Sequence, residues 1–505
     1  MKAKKGVSDP FEKKLKELDY AIESKISDKL DDNESVINQL FANCSDFVVR
    51  RLHIFGSIPS MVVYFDVLVD NQLWDIGFLE PLMLHESVSI DSPLQLYEQL
   101  KFKLASIVQP QIALNMNEIV QRIVKGEVVL FVESFTQAFS FRLKDKLYRQ
   151  LEEPTSEAVI RGPQYGFIEK LDINLALIRH RIRTPLLKTE KLCVGGLSQT
   201  DVAIVYIEHI AQQSVVEEVK KRISSIDMDS ILESGYIEEL ISDHPNSPFP
   251  VIQSTQRPDL VSGSLVEGKV VLLIDGSPMV LVLPISFWFG FQTAEDYYMN
   301  FIYATMLRWL RYLFAFFAIA LPSLYIAVTT FHHEMIPTSL ALSLAAAREV
   351  VPFPAIVEAL IMETTFEALR EAGVRLPRPV GQTISIVGAL VIGQAAVQAG
   401  IISAPQIIIV SITGISSFLI PNPGMSQAIS IMRFPLMLFA ASFGLYGVVV
   451  SLIAVLIHLV NMNSFGVPYM TPIAPFSFSG LADALFRAPW RMLLRRHHHT
   501  KQRLE

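Results

Sequence analysis

The chain has 505 residues, 51% of them hydrophobic, and a formal net charge of −7. That length excludes a single ordinary domain, and a mean hydropathy of +0.37 excludes an ordinary soluble composition. The acidic balance, with no basic stripe interleaved with aromatics, excludes a nucleic-acid surface, and two cysteines, Cys44 and Cys193, exclude a disulfide framework and fit a reducing compartment.

Residues 1–45 read as an N-terminal helical segment. Its start, Met1 to Lys16, is charged and has no apolar core, so it does not read as a secretory signal, and the residues up to Phe301 are expected on the cytosolic side. Between them, short β-rich runs alternate with amphipathic helical patterns, which predicts α/β packing. Ser60–Leu68, Val202–Glu208, Lys269–Ile274 and Met279–Leu283 read as strands, the last two flanking the turn Asp275-Gly276-Ser277-Pro278. Glu217–Ile226 and Met228–Leu240 read as helices. Two pairs of segments resemble each other. Met61-Val62-Val63-Tyr64-Phe65-Asp66 matches Ala203-Ile204-Val205-Tyr206-Ile207-Glu208, and Lys125-Gly126-Glu127-Val128-Val129-Leu130 matches Glu267-Gly268-Lys269-Val270-Val271-Leu272. Val63 to Val205 and Gly126 to Gly268 are both 142 positions apart. This predicts two related α/β subdomains, 46–150 and 151–300, with the similar parts near 45–145 and 190–290.

From 301 to 465 long apolar runs dominate, predicting an all-α transmembrane bundle. A span needs about 20 apolar residues. Runs at 312–331, 384–404, 405–420 and 434–460 meet or approach that. The intervening 337–372 carries Arg348, Glu349, Glu358, Glu363 and Glu367 and is interrupted by Pro352-Phe353-Pro354. Each charge costs roughly 2.5–3.5 kcal/mol at a bilayer centre, so a broken or re-entrant element is expected there. Arg308 and Arg311 precede the first span, and the tail, 466–505, is basic. The positive-inside rule then places both ends on the cytosolic side, with four crossings.

No phosphate loop, nucleophile elbow, Cys-x-x-Cys or His-Glu-x-x-His pattern occurs, so no catalytic residue, cofactor or metal site is expected. His332-His333-Glu334 and His497-His498-His499 lack useful ligand spacing, and His458 within a span reads as a hydrogen-bonded packing residue before a proton relay. On a helix over Gln382–Ile401, Thr383, Val387, Leu390, Val391, Gln394 and Gln398 form one stripe, opposite Ser385, Gly388, Ala395, Ala396 and Ala399. The first stripe suits either a hydrated pore with an apolar constriction or glutamines bonding across helices. Glu363, Glu367 and Glu371 share a helical face, which suits either a solvated surface or an acidic vestibule that concentrates cations.

In order along the chain stand Glu152-Glu153-Pro154, Arg161-Gly162-Pro163 with Gly166-Phe167, and Asn174 to Arg183 with Arg179, Arg181 and Arg183. They are followed by Ser247-Pro248-Phe249-Pro250, Arg257-Pro258-Asp259, Asp275-Gly276-Ser277-Pro278 and Glu295-Asp296-Tyr297-Tyr298. Last comes Pro377-Arg378-Pro379-Val380-Gly381, leading into Ser385 to Gly393. Together these resemble the A subunit of the GerA family of spore germinant receptors, from about Asp46 to the tail. Gln256 and Thr155 depart from the family's usual acidic residues. The resemblance implies a non-enzymatic, multi-pass protein of the spore inner membrane. It further implies homo-oligomerisation into a nutrient-gated cation channel, with membrane lipid, a transporter-like B subunit and a lipoprotein C subunit as partners. A scaffold or sensor without a pore is the other implied role. Under the resemblance Gln382–Ile401 becomes the preferred pore helix, and Arg161, Arg179, Arg181 and Arg183 are expected to pair with acids such as Glu153 and Glu157 to join the subdomains.

Overall fold

The computed structural model describes residues 25–70, 73–83, 92–104, 109–143, 154, 157, 159–375 and 393–490. They fall into two compact units, one holding residues up to 242 and 252–284, the other 243–251 and 285–490.

In the first unit, helix α1 (Leu30–Leu40) leads into strands β1 (Phe47–Ile54) and β2 (Ile58–Phe65). Helix α2 (Pro93–Leu104), β3 (Gln111–Ala113), helix α3 (Met116–Ile123), β4 (Val128–Val132) and β5 (Ala138–Phe141) follow. After α4 (Leu171–Arg181) come β6 (Leu187–Val194), β7 (Thr200–Ile207), α5 (Gln213–Ser224), α6 (Ser234–Ile241) and β8 (Gln253–Thr255). Helix α7 (Pro258–Val266), β9 (Val270–Ile274) and β10 (Val280–Leu283) complete the unit. The five strands of the first sheet lie in the order β1-β2-β4-β5-β3, and those of the second in the equivalent order β6-β7-β9-β10-β8, all antiparallel.

The duplication extends to register. Val62 faces Leu130 and Val63 faces Val129 in one sheet, where Ile204 faces Leu272 and Val205 faces Val271 in the other. Gly126 and Gly268 close the equivalent helices α3 and α7 with φ of +82° and +93°, the left-handed conformation that ends a helix at low cost only with glycine. A Cβ on Gly268 would meet the Ile210 carbonyl oxygen at 2.8 Å.

Antiparallel sheets commonly leave one face wet and so alternate apolar with polar. Here the inner strands β2, β4, β5, β7, β9 and β10 carry runs of buried, mostly apolar residues because both faces are covered, whereas the edge strands β1 and β6 keep exposed polar positions. Met61, Val63, Val129 and Phe131 pack under α1 and α3, while Val62, Tyr64, Leu130 and Phe139 pack under α2 and Trp74. Helix α4 lies between the repeats. Its Ala176 joins the first core, and Leu171, Leu175 and Ile178 join the second with α7. The second repeat's α6 begins at Ser234, six residues later than expected, because Glu233 caps it through Gly235 N and the preceding stretch is irregular.

The second unit is helical. It contains α8 (Phe301–Phe331), α9 (Thr338–Arg348), α10 (Ala355–Arg375), α11 (Gly393–Gln398), α12 (Ala404–Phe418) and α13 (Pro423–Asn461). A short hairpin, Asn463–Ser464 with Val467–Pro468, and helix α14 (Phe478–Ala484) follow. Two of the described helices, α8 and α13, are long and apolar enough to cross a membrane. Helix α13 starts at Pro423, before the expected 434, because Asn422 caps it through Met425 N and Pro423 suits a first turn. It kinks at Gly444 (φ 60°, ψ −142°), where a Cβ would lie 2.8 Å from His332 Cε1. The predicted break in 337–372 falls at Pro352-Phe353-Pro354, between α9 and α10. Helix α12, with 15 residues, is about 22 Å long, short of the ~30 Å hydrocarbon core.

Candidate functional site

Inside the helical unit, apolar helices enclose a set of charges. Arg433 of α13 is fully buried and binds three other helices. Its Nε donates to the Ala318 carbonyl of α8 at 2.8 Å. That oxygen has no helical donor because Pro322, four residues on, lacks an N–H. Nη2 donates to Ser417 Oγ of α12 at 2.8 Å, and Nη1 pairs with Glu363 Oε2 of α10. The guanidinium therefore repairs a backbone defect and neutralises a buried carboxylate with one fork of donors. Neither charge would be tolerated alone in this setting.

A second cluster lies at the start of α12. Glu358 Oε2, buried on α10, accepts from Ser403 N at 3.0 Å and Ser403 Oγ at 2.8 Å. A carboxylate there caps the helix and meets the positive end of its dipole. Arg348 Nε lies 3.5 Å from Glu358 Oε1. Gln406, Thr413 and Ser417 line the inner side of α12, all buried, and the Gln406 amide has no side-chain or backbone partner. Further along α10, Glu367 pairs with Arg370, whose Nη1 reaches Ser430 Oγ at 3.4 Å. Four of the five charges that argued against a span at 337–372 are thus matched within the chain, at Arg348–Glu358, Glu363–Arg433 and Glu367–Arg370, while Glu349, before α10, is exposed.

This corrects the vestibule expectation for Glu363. It is fully buried against Arg433 rather than open to solvent. Glu367 is partly buried beside Arg370, and Glu371 is exposed. Of the pore stripe, Thr383, Val387, Leu390 and Val391 lie outside the described residues. Gln394 and Gln398 are both exposed on α11. His458 Nε2 and Ser247 Oγ are 2.8 Å apart.

In the first unit the join between repeats is ionic, with a different acid from those expected. Arg179 at the end of α4 makes a two-pronged pair with Asp46, just before β1, with Nη2 to Oδ1 at 2.7 Å. Thr189 Oγ1 donates to the same oxygen at 2.5 Å. The guanidinium stacks on Phe65, 3.9 Å from the ring centre, and burial pushes the neighbouring Cys44 thiol up. Asp46 is the acid the repeats share because it sits where the chain enters the first sheet, within reach of the helix between them. Arg181 instead donates to Tyr165 Oη at 2.6 Å, and Arg183 to the His180 carbonyl at 3.1 Å. Arg161 is exposed. Glu153 lies outside the described residues. Glu157 accepts from Thr255 Oγ1 at 2.6 Å, while its carbonyl accepts from Arg257.

Asp46, Glu358 and Arg433 were missed in the sequence. For Arg433 a signal existed, since a lone arginine starts the apolar stretch through Val460, and an intramembrane charge is a functional candidate by default.

The family model described as Bacillus/Clostridium GerA spore germination protein matches residues 35–499. The chain is 43% identical to the uncharacterized membrane protein YfkQ of Bacillus subtilis, over 95% of this chain and 93% of that one. It is 42% identical to spore germination protein KA of Bacillus subtilis, over 92% and 85%, and 38% identical to spore germination protein GerLA of Bacillus cereus, over 89% and 91%. The crystal structure of the N-terminal domain of the A subunit of the Bacillus megaterium spore germinant receptor GerK3 superposes with a TM-score of 0.41 at 32% identity, over 52% of this chain and 99% of that one.

Proposed function

The chain belongs to the GerA family of spore germination proteins, the A subunits of germinant receptors, and from that premise we propose that it oligomerises into a nutrient-gated cation channel. The channel works in the spore inner membrane beside a transporter-like B subunit and a lipoprotein C subunit. The helical unit crosses the bilayer, and both ends of the chain lie on the spore-core side.

The observation that carries this reading is the polar and small-residue surface left open on short helices of an otherwise apolar unit. Gln394 and Gln398 point out of α11, and α9, Thr-Ser-Leu-Ala-Leu-Ser-Leu-Ala-Ala-Ala-Arg, has no buried residue in the single chain. In lipid, exposed amides are costly and small residues favour close helix contact. Subunits meeting through α9 around a wet axis lined by Gln394 and Gln398 meet both demands. Thr383, Val387, Leu390 and Val391 then continue the lining, with the two valines as the constriction. The buried charges around Arg433 tie α8, α10, α12 and α13 together beside this lining.

The test is ion flux through liposomes holding the assembled receptor, with the intact chain compared with Val391→Ala. Nutrient-triggered release of monovalent cations, with a constitutive leak in the variant, supports the channel. An assembled complex that binds nutrient and passes no ions refutes it in favour of a scaffold or sensor.

A further inference from the structure

Residues 473–490 are built inside out relative to a water-soluble element. The backbone at the end of α14 is held by polar groups from α8 and the segment before it. The Asp483 carbonyl accepts from Gln292 Nε2 at 3.0 Å and from Arg308. The Ala484 carbonyl accepts from Tyr312 Oη at 2.5 Å, and the Leu485 carbonyl from Trp309 Nε1 at 2.9 Å. The Asp483 carboxylate takes the Tyr297 hydroxyl at 2.8 Å. These bonds satisfy the carbonyls that a helix end leaves open. The polar side therefore faces the protein. The other side presents Phe476, Phe478, Phe486 and Trp490, exposed by 61%, 82%, 46% and 58%. Soluble surfaces rarely gather aromatics this way without a covering partner.

Three features identify the cover as lipid. The patch is continuous with the outer face of α8, where Trp309 packs on Phe486 with ring centres 5.4 Å apart and Ile302, Met306 and Leu313 are exposed. Helix α8 has 31 residues, about 46 Å, some 16 Å more than the ~30 Å hydrocarbon core. If its far end meets one boundary, about 11 residues, Phe301 to Arg311, stand in the headgroup zone with α14 beside them. Exposed Trp, Tyr and Phe at that level match the aromatic belt of membrane proteins. Finally, Arg491, Arg495, Arg496, Lys501 and Arg503 follow Trp490, with Glu505 the sole acid among residues 491–505. A cationic run directly after an aromatic wedge complements anionic headgroups.

We propose that residues 473–490 form an interfacial anchor whose aromatic face enters the headgroup layer, and that the basic run after it selects anionic phospholipid. The inference rests on the membrane-crossing part of the proposed function and is independent of whether a pore forms. Its effect is to fix the depth of the first turns of α8, and so the level at which Arg308 and Arg311 hold Asp296.

The test uses the full chain carrying Cys193→Ser, whose remaining Cys44 is buried, in bilayers of phosphatidylglycerol with phosphatidylcholine. A spin label is placed at Phe478→Cys, and separately at Val449→Cys on the exposed face of α13 as a reference. Collision with oxygen and with a water-soluble nickel chelate gives the depth of each label. The expected result is oxygen-dominated collision at 449 and an intermediate depth at 478. The 478 label moves outward when phosphatidylglycerol is replaced by phosphatidylcholine, and also in Arg495→Gln/Arg496→Gln. Nickel-dominated collision at 478 with 449 still in lipid overturns the anchor alone, and nickel-dominated collision at both overturns the crossing reading beneath it. A 478 label shielded from both reagents assigns the patch to a second protein surface and overturns the lipid assignment. A 478 depth indifferent to lipid charge and to the arginine variant overturns the anionic selectivity.

Discussion

Arg433→Met tests the buried charge set most directly. Removing the guanidinium strands the Glu363 carboxylate in a site with no exposure and leaves the Ala318 carbonyl without a donor, since Pro322 supplies none. Breaking a buried pair by deleting one partner costs about 3–5 kcal/mol. For a unit of roughly 200 residues, each kcal/mol is worth about 2–4 °C, so the loss is on the order of 10 °C. Arg433→Met/Glu363→Met removes both charges and should recover most of that loss. Adding Pro322→Ala restores an N–H to Ala318 and should recover about 1 kcal/mol more. The assay is the fraction of full-length chain remaining monodisperse on size exclusion after heating in detergent, read as an apparent midpoint. A shift below about 2 °C for Arg433→Met, or a double variant no better than the single one, refutes the reasoning.

Asp46→Asn should loosen the join between the two repeats by about 3–5 kcal/mol, seen as faster hydrogen exchange in β6 and α4, while Arg51→Gln, whose ion pairs lie at the surface, should leave exchange there essentially unchanged. Gly268→Ala should lower the first unit's stability by at least about 1 kcal/mol, and by more than Gly126→Ala, because its Cβ meets the Ile210 backbone whereas that of Gly126 meets the Leu68 side chain at 3.1 Å; chemical denaturation followed by exchange in each repeat would rank them. Burial, with Glu233 nearby, pushes the Glu238 carboxyl up to about 7. A carboxyl whose folded value lies above its ordinary 4.5 binds its proton more tightly when folded, so its stabilisation is present in acid and is lost as pH rises toward 7. Exchange protection of α6, corrected for intrinsic rates, should therefore fall between pH 4.5 and 7, and Glu238→Gln should flatten that slope.

Periodicity made much of the first unit legible from the residues alone. The 142-residue offset between Val63 and Val205 recurs as equal register in the two sheets. Local chemistry is repeated where the fold is repeated, because the same strand must bury the same two faces and the same helix must end at the same glycine. The apolar runs of α8 and α13 and the helix break at Pro352-Phe353-Pro354 were legible for a similar reason, since both are properties of consecutive residues. Partner choice was not. Arg179 was marked as an ion-pair residue, but Asp46 is 133 positions away and becomes its partner only because α4 crosses between two cores. Glu363 looked like a surface acid because its neighbours on α10 are acidic, and only the packing of α8, α12 and α13 brings Arg433, 70 positions on, to its carboxylate. Element type and repeat follow from short-range backbone and hydrophobic preferences that a sequence displays directly. Which charge meets which depends on helix crossings set by the whole core, and in an apolar interior that pairing decides whether a charge is tolerated at all.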